Sequence, residues 1–550
     1  MSELWTAEQH AAIRESRHLL LAANAGTGKT STVVGKILWS LGFDVGDAED
    51  GPIARCAEPC DLSQVAAITF TEKAARDLRR KLSEALEANG IARGGIDRAF
   101  VGTIHGFCGD ILRQHALRLD IDPSFRVMDA REASLRLGEL TRETILEALE
   151  SGERDVIELL KDAPLDRYGE FGPSVTGLVR RSLHEIRWNR ENFDRWLREP
   201  DDTGADRTAG DLWLDPARFG TSGQPEAGPD PGDEEAEARH LSHLVAVYRL
   251  AYRVLGRWLT LLERENRRDF DSLILDVRRL LTHERFGSAL EEVRRRFRLL
   301  IVDEFQDTDR AQRDIAFAIG GLIGPPPAPG EETRLFLVGD PKQSIYGFRN
   351  ADVRVWNEVE NRFRQAGAVL RLGRNFRSDP VLVRLVNEAC TPAFGAAGSA
   401  LEFIDPGAVI RYDPLDPGRE PKRGAGVDWL ATPSDLNKAE RKAFGAALLA
   451  GRIERLLDRR SSASSRSPSE AEAVARADEI AVLAARADTL SAVEEALHER
   501  GIPTYNASSR GLAQRQEVLD AINALRLADN PLDDVRAFAF LRSPFVGLRD

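Results

Sequence analysis

Nowhere in the 550 residues is there an uninterrupted apolar run of about 18 residues, the length a helix needs to cross a bilayer. The opening MSELWTAEQH also lacks the basic and then apolar segments of a secretory signal. Together these absences point to a cytoplasmic protein with no membrane partner. Cysteine is scarce too. Four residues, Cys56, Cys60, Cys108 and Cys390, are too few to staple a chain of this size and suit a reducing compartment. Cys56 and Cys60 form a lone C-x3-C with no second Cys or His pair nearby, which argues against a zinc centre. A basic excess is missing as well: 76 Lys and Arg stand against 89 Asp and Glu, a formal net charge of −13. That balance speaks against a broad duplex-binding surface. It leaves room for a single strand held by stacking along a narrow polar track. No internal repeat is present.

What is there begins with short, continuous apolar runs, each ending in a polar turn. Leu19–Ala22 runs into Asn24-Ala25-Gly26, Val65–Ile68 into Thr69-Phe70-Thr71, Leu299–Val302 into Asp303-Glu304, and Leu335–Val338 into Gly339-Asp340. Continuous rather than alternating runs suit strands buried on both faces, as in parallel sheets. Polar residues at the carboxyl ends of such strands are where α/β folds bind ligands. The spacing predicts an α/β core. Between Asp110 and Asn266 the pattern turns helical and reads as an insertion, with a Gly/Pro/Asp/Glu-rich stretch at 200–236 expected to be disordered. A second flexible stretch is expected at Arg459–Ser469.

Ala23-Asn24-Ala25-Gly26-Thr27-Gly28-Lys29-Thr30 has the form of a phosphate-binding loop, with Ala23 where the first glycine is usual. Gly26 and Gly28 allow a tight turn whose N–H groups face phosphate. Lys29 is placed to reach the β- and γ-phosphates, and the Thr30 hydroxyl to bind Mg²⁺. The next helix directs its positive end at the same anion. After Leu299–Val302, Asp303 is expected to hold Mg²⁺ and Glu304 to orient and deprotonate the attacking water. Gly339-Asp340-Pro-Lys-Gln343-Ser344-Ile-Tyr346-Gly-Phe348-Arg349 joins two functions in one loop. Gln343 is a candidate γ-phosphate sensor, and Tyr346, Phe348 and Arg349 supply planar groups for stacking on bases.

These segments resemble the motifs of the UvrD/Rep-type superfamily 1 DNA helicases, and more closely those of the RecB/AddA branch. Thr6 and Gln9 are similar to the adenine-reading Q motif, and Ala23–Thr30 to motif I. Thr69–Ala75 resembles motif Ia, Gly102-Thr103-Ile-His105 motif Ib, and Asp269-Phe270-Asp271 the signature closing the 1B insertion. Asp303–Thr308 resembles motif II, Gly339–Arg349 motif III, and Leu372-Gly-Arg-Asn375-Phe376-Arg377-Ser378 motif IV. Ile480–Ala485 and Gly511–Val518 are similar to weaker signatures of domain 2A. Taken singly, His105 could be a packed histidine and Phe70 a residue under a helix. The ordered co-occurrence of the motifs gives them their meaning.

The resemblance implies a RecA-like parallel-sheet motor domain (1–109 and 262–366), a helical insertion (110–261), and an incomplete second RecA-like domain (367–550). It implies that Phe376 stacks on adenine and that Arg377 contacts the γ-phosphate from the second motor domain. It further implies that Phe70, Thr103, His105, Tyr346, Phe348 and Arg349 line a DNA track. The expected activity is ATP- and Mg²⁺-dependent 3′ to 5′ translocation on single-stranded DNA and its junctions with duplex, in repair or recombination. A partner subunit of a heteromeric helicase–nuclease is also implied. Ser31 departs from the Arg common in the plain UvrD branch, which bears on base selectivity. Neither a Lys-Gly-Leu-Glu nor a Thr-Arg-Ala segment of motifs V and VI occurs, and Leu541–Asp550 resembles the start of domain 2B. The expectation is therefore either an incomplete gene product or a fragment of a longer protein, and in both cases a chain that binds ATP and turns it over slowly. The alternatives are a nucleotide-dependent single-strand-binding module and a scaffold for a partner subunit.

Overall fold

The computed structural model describes residues 4–92, 94–166, 174–188, 234–345, 351–395, 409–410, 412–422, 425–462, 476–506, 516–531 and 533–548. Two compact units emerge: residues 1–377 with 387–418, and residues 378–386 with 419–550.

The first unit is organised by six strands: β1 (Leu19–Ala23), β2 (Val65–Thr69), β3 (Phe100–Thr103), β4 (Leu299–Val302), β5 (Arg334–Gly339) and β6 (Ala368–Leu372). They lie in the order β6-β1-β5-β4-β2-β3, and every pairing is parallel. The register places Leu21 opposite Val338, Ile301 opposite Phe336, Ile68 opposite Val302 and Thr69 opposite Thr103. Alternate side chains point to opposite faces, and both faces are covered. Leu20, Ala66, Ile68, Leu300 and Leu337 join one core, whereas Leu19, Leu21, Ala67, Ile301 and Val338 join another. This two-sided burial is why the strands read as unbroken apolar runs. Two strands escaped that pattern. Phe100–Thr103 is short and interrupted by Gly102, and Ala368–Leu372 is a half-buried edge carrying Arg371. The sheet continues past 366 to Leu372, because β6 pairs with β1 from Leu19↔Ala368 to Ala23↔Leu372.

Helices α1 (Ala7–Arg14), α2 (Lys29–Ser40) and α3 (Glu72–Ala88) supply the second core with Ala12, Val33, Ile37, Leu78 and Leu82. The first core takes Phe107 and Ile111 from α4 (Ile104–His115). The chain then leaves the sheet for α5 (Ala130–Glu150), α6 (Arg154–Asp162), α7 (Val175–Trp188) and α8 (Glu234–Arg264). These helices bury their own core, including Ile145, Val156, Val179, Leu183, Leu250 and Val254. It returns as α9 (Phe270–Thr282), α10 (Gly287–Arg296), α11 (Arg310–Ile319) and α12 (Val353–Ala366), which complete the first core. The stretch at 200–236 that the composition marks out falls outside the described residues up to 233.

A buried polar cluster joins the inserted helices to α9. Asp269 caps α9 by accepting from the Ser272 N–H at 2.9 Å. It also accepts two bonds from Arg187 of α7, both 2.7 Å, and one from Trp258 Nε1 of α8 at 2.9 Å. Burial works to raise the Asp269 carboxyl, but the charge and hydrogen bonds of Arg187 outweigh it and hold the group below the usual carboxylate range.

In the second unit, Lys438–Ser462 packs on Ala487–His498 through Ala446, Ala450 and Ile453 against Val493, Ala496 and Leu497. Among its described residues the unit contains no strand. Of the two weaker signatures, Ile480–Ala485 precedes Ala487–His498 as a non-helical segment, and residues 511–515 of the other lie outside the described residues, as does most of Arg459–Ser469. Among the described residues, no helix is long and apolar enough to cross a membrane.

Candidate nucleotide and strand-binding site

The carboxyl edge of the sheet gathers most of the residues singled out above. At the end of β1 the chain turns through Asn24–Gly28, with the Thr27 hydroxyl donating to the Asn24 carbonyl at 2.7 Å. Gly26 (φ +80°) and Gly28 (φ +85°) are left-handed, a conformation that costs an L-residue with a Cβ. At Gly26 space demands glycine as well, whereas at Gly28 the neighbour is the mobile end of a side chain. A Cβ on Gly26 would sit 2.7 Å from the Arg377 Cβ, and one on Gly28 would sit 2.6 Å from Gln9 Nε2. Thr30 follows Lys29 in the first turn of α2 and is half-buried.

Lys29 donates to Glu304 Oε2 at 3.0 Å. Glu304 is itself left-handed (φ +55°), one of few non-glycine residues so placed, and its N–H donates to Asp303 Oδ1 at 3.0 Å. Backbone strain of this kind at a strand end aims a side chain that regular geometry would not. Burial and then the neighbouring Glu304 charge raise Asp303 to about 6, with Lys29 opposing. Asp307 is raised to about 6 by the same two causes. Its Oδ1 is buried with no hydrogen-bond partner among the described residues. A phosphate cradle with two left-handed glycines, a lysine, a hydroxyl and a strand-end carboxylate fits Mg²⁺-nucleotide, for which Thr30 and Asp303 would hold the ion and Lys29 the phosphates.

Gln306 lies inside one of the motifs without a chemical role that its sequence context reveals, and the structure supplies one. Its Nε2 donates to Glu304 Oε2 at 2.9 Å, and its Oε1 accepts from the Asp340 N–H at 2.9 Å, so it links the ends of β4 and β5. Gln343 donates to Asp340 Oδ2 at 2.8 Å and is thereby anchored beside that link.

The segment after β6 lies directly on the phosphate loop. Asn375 Nδ2 donates to the Ala25 carbonyl at 2.9 Å, and the Phe376 N–H to the Gly26 carbonyl at 2.8 Å. The Phe376 ring is 37% exposed with the Arg374 guanidinium 5.4 Å from its centre. Arg377 falls in the same compact unit as the phosphate loop, to which this pair of hydrogen bonds joins the residues just before it.

Gln9 sits in a capping box. Its backbone N–H donates to Thr6 Oγ1 at 3.2 Å, and its Oε1 accepts from the Thr6 N–H at 3.0 Å. Nε2 donates to the Thr27 carbonyl at 3.3 Å, which brings Gln9 onto the loop itself.

At the far side of the same edge, Phe70 follows β2, and Thr103 closes β3. The Thr103 hydroxyl caps α4 and reaches Glu72 Oε1 at 3.2 Å. His105 stands next to it, half-buried, its ring 4.7 Å from that of Phe270. Burial lowers the imidazole below its ordinary value. Thus β1, β4 and β5 carry one group of candidates and β2 and β3 the other. Tyr346, Phe348 and Arg349 lie outside the described residues.

The sequence pattern of the UvrD/REP helicase N-terminal domain matches residues 5–364. The chain belongs to the UvrD/REP helicase family. Curated relatives of this helicase-family chain are each named as one subunit of an ATP-dependent helicase/nuclease. The protein of Moorella thermoacetica is 26% identical and that of Bacillus cytotoxicus 23%, each alignment covering 99% of this chain and 50% and 52% of the relative. That of Desulforudis audaxviator is 25% identical, covering 100% and 53%. The chain therefore spans about half the length of the curated relatives it matches.

Proposed function

We propose that this chain is the ATP-driven motor portion of a DNA helicase that steps 3′ to 5′ along single-stranded DNA and engages its junctions with duplex. The setting is repair or recombination in the cytoplasm, alongside a partner subunit of a helicase–nuclease assembly. Family membership and the names of the relatives support this reading. In its domain terms, the sheet with its flanking helices is the first motor domain, α5–α8 the 1B insertion, and the chain beyond it the first part of 2A.

The observation that carries the proposal is the Lys29–Glu304 contact, linked through Gln306 to Asp340 at the next strand end. Lys29 swings from Glu304 onto the β- and γ-phosphates, which frees the Glu304 carboxylate to orient water and take its proton. When bound at Thr30 and Asp303, Mg²⁺ neutralises charge on the phosphate oxygens. Gln343 and Arg377 contact the γ-phosphate, and Phe376 and Gln9 the adenine, while Ala23–Gly28 cradle the phosphates. Because Gln306 joins Glu304 to the strand end that precedes Tyr346, Phe348 and Arg349, loss of the γ-phosphate is felt in the stacking loop. Phe70, Thr103 and His105 continue the strand's path. Equilibrium titration tests the reading: the chain binds Mg²⁺-ATP, its single-strand affinity changes with nucleotide, and Lys29→Ala loses both. Unchanged ATP affinity in Lys29→Ala would overturn it.

A further inference from the structure

Lys36 is one of the most deeply buried side chains of the first unit, 2% exposed, and among the described residues it forms no ion pair. Its ammonium instead meets the end of another helix. It donates to the Ile13 carbonyl at 2.9 Å and to the Glu15 carbonyl, and it lies 4.5 Å from the centre of the Trp39 ring. Ile13 and Glu15 end α1, where carbonyls lack intrahelical partners and the helix dipole is negative. One residue earlier on α2, Gly35 allows the two helices to approach closely. A Cβ there would stand 2.9 Å from Ile13 Cδ1 and 3.1 Å from the Trp5 ring.

The helix held in this way has 8 residues, too short to be stable alone, so its position is set by what grips it. Its first turn carries Gln9, whose amide lies against Gly28 and donates to Thr27. We propose that Lys36 is the positioning residue for Gln9, clamping the end of α1 onto the helix that begins with Lys29 and so fixing the Gln9 amide beside the base site. This rests on the reading of Gln9 as an adenine contact. After its bonds to Thr6 and Thr27, the amide retains one N–H and one acceptor lone pair. Those match the N7 acceptor and N6 donor of adenine, whereas guanine offers two acceptors on that edge. Lys36 itself touches no nucleotide. It acts on base selectivity through α1.

The experiment is a cycle of ATP and GTP equilibrium affinities for the unmodified chain, Lys36→Met, Gln9→Ala and the double variant. The expected result is that Lys36→Met lowers the ATP-over-GTP preference about tenfold with GTP affinity unchanged, and that it adds nothing in the Gln9→Ala background. Gly35→Ala, which pushes on Ile13 and Trp5 while keeping the ammonium, should lower the same preference and replaces Lys36→Met if that variant does not fold. An equal loss for both nucleotides, a retained preference, or additivity with Gln9→Ala would overturn the role of Lys36. A preference untouched by Gln9→Ala would overturn the adenine reading beneath it, and the two failures are distinguishable.

Discussion

Replacing Asp269 with alanine should destabilise the motor core and its helical insertion together. The carboxylate receives four hydrogen bonds from three helices: two from Arg187, one from Trp258 and one from the Ser272 N–H. The side chains of Arg187 and Asp269 are 5% and 11% exposed. Stranding a buried partner of such a pair costs about 3–5 kcal/mol. Loss of the cap adds roughly 1 kcal/mol, and the unsatisfied Trp258 N–H about 1–3 kcal/mol. These terms overlap, and Asp271 Oδ2 remains 3.5 Å from Arg187 Nη1 to take up part of the charge. The expected total for Asp269→Ala is therefore about 3–5 kcal/mol. Arg187→Met should cost less, because Asp269 would keep its bonds from Ser272 and Trp258. The pair should be strongly non-additive, since the double variant leaves no orphaned charge. Urea unfolding followed by tryptophan fluorescence measures this in the transition that exposes Trp258, because the chain comprises two units. A loss below about 1 kcal/mol for Asp269→Ala, or simple addition of the two single changes, would refute the argument.

The same carboxyl sets an acid limb. Held below its unfolded pKa, it contributes stability that is present above about pH 4 and lost as pH falls further, so Asp269→Asn should flatten the stability profile there. Gly26→Ala places a Cβ in a left-handed residue and against Arg377, and ATP affinity should fall about fivefold or more, about 1–3 kcal/mol; wild-type affinity by titration would show the loop to be slack. Glu304→Gln should keep ATP binding yet lower single-strand-stimulated phosphate release about 10²-fold or more in a protein that includes motifs V and VI. Normal turnover would remove Glu304 as the base.

The amino-acid sequence by itself determined the elements whose signal is local. The apolar runs at Leu19, Val65, Leu299 and Leu335 announce strands buried on both faces, because each residue of such a strand needs an apolar partner on one side or the other. Gly26, Gly28 and Lys29 announce the phosphate loop because its backbone geometry and charge are set within a few residues. What the tertiary structure alone decided joins residues far apart in the chain. The strand order β6-β1-β5-β4-β2-β3 depends on crossovers that leave no trace in periodicity, and β6 was hidden because an edge strand needs only one apolar side. Arg187 meets Asp269 across 82 residues, and Asn375 meets Ala25 across 350. A buried lysine at 36 looks in sequence like any helical surface residue. Such polar groups find their partners only when folding removes water from around them, and the cost of leaving them unpaired then selects the arrangement.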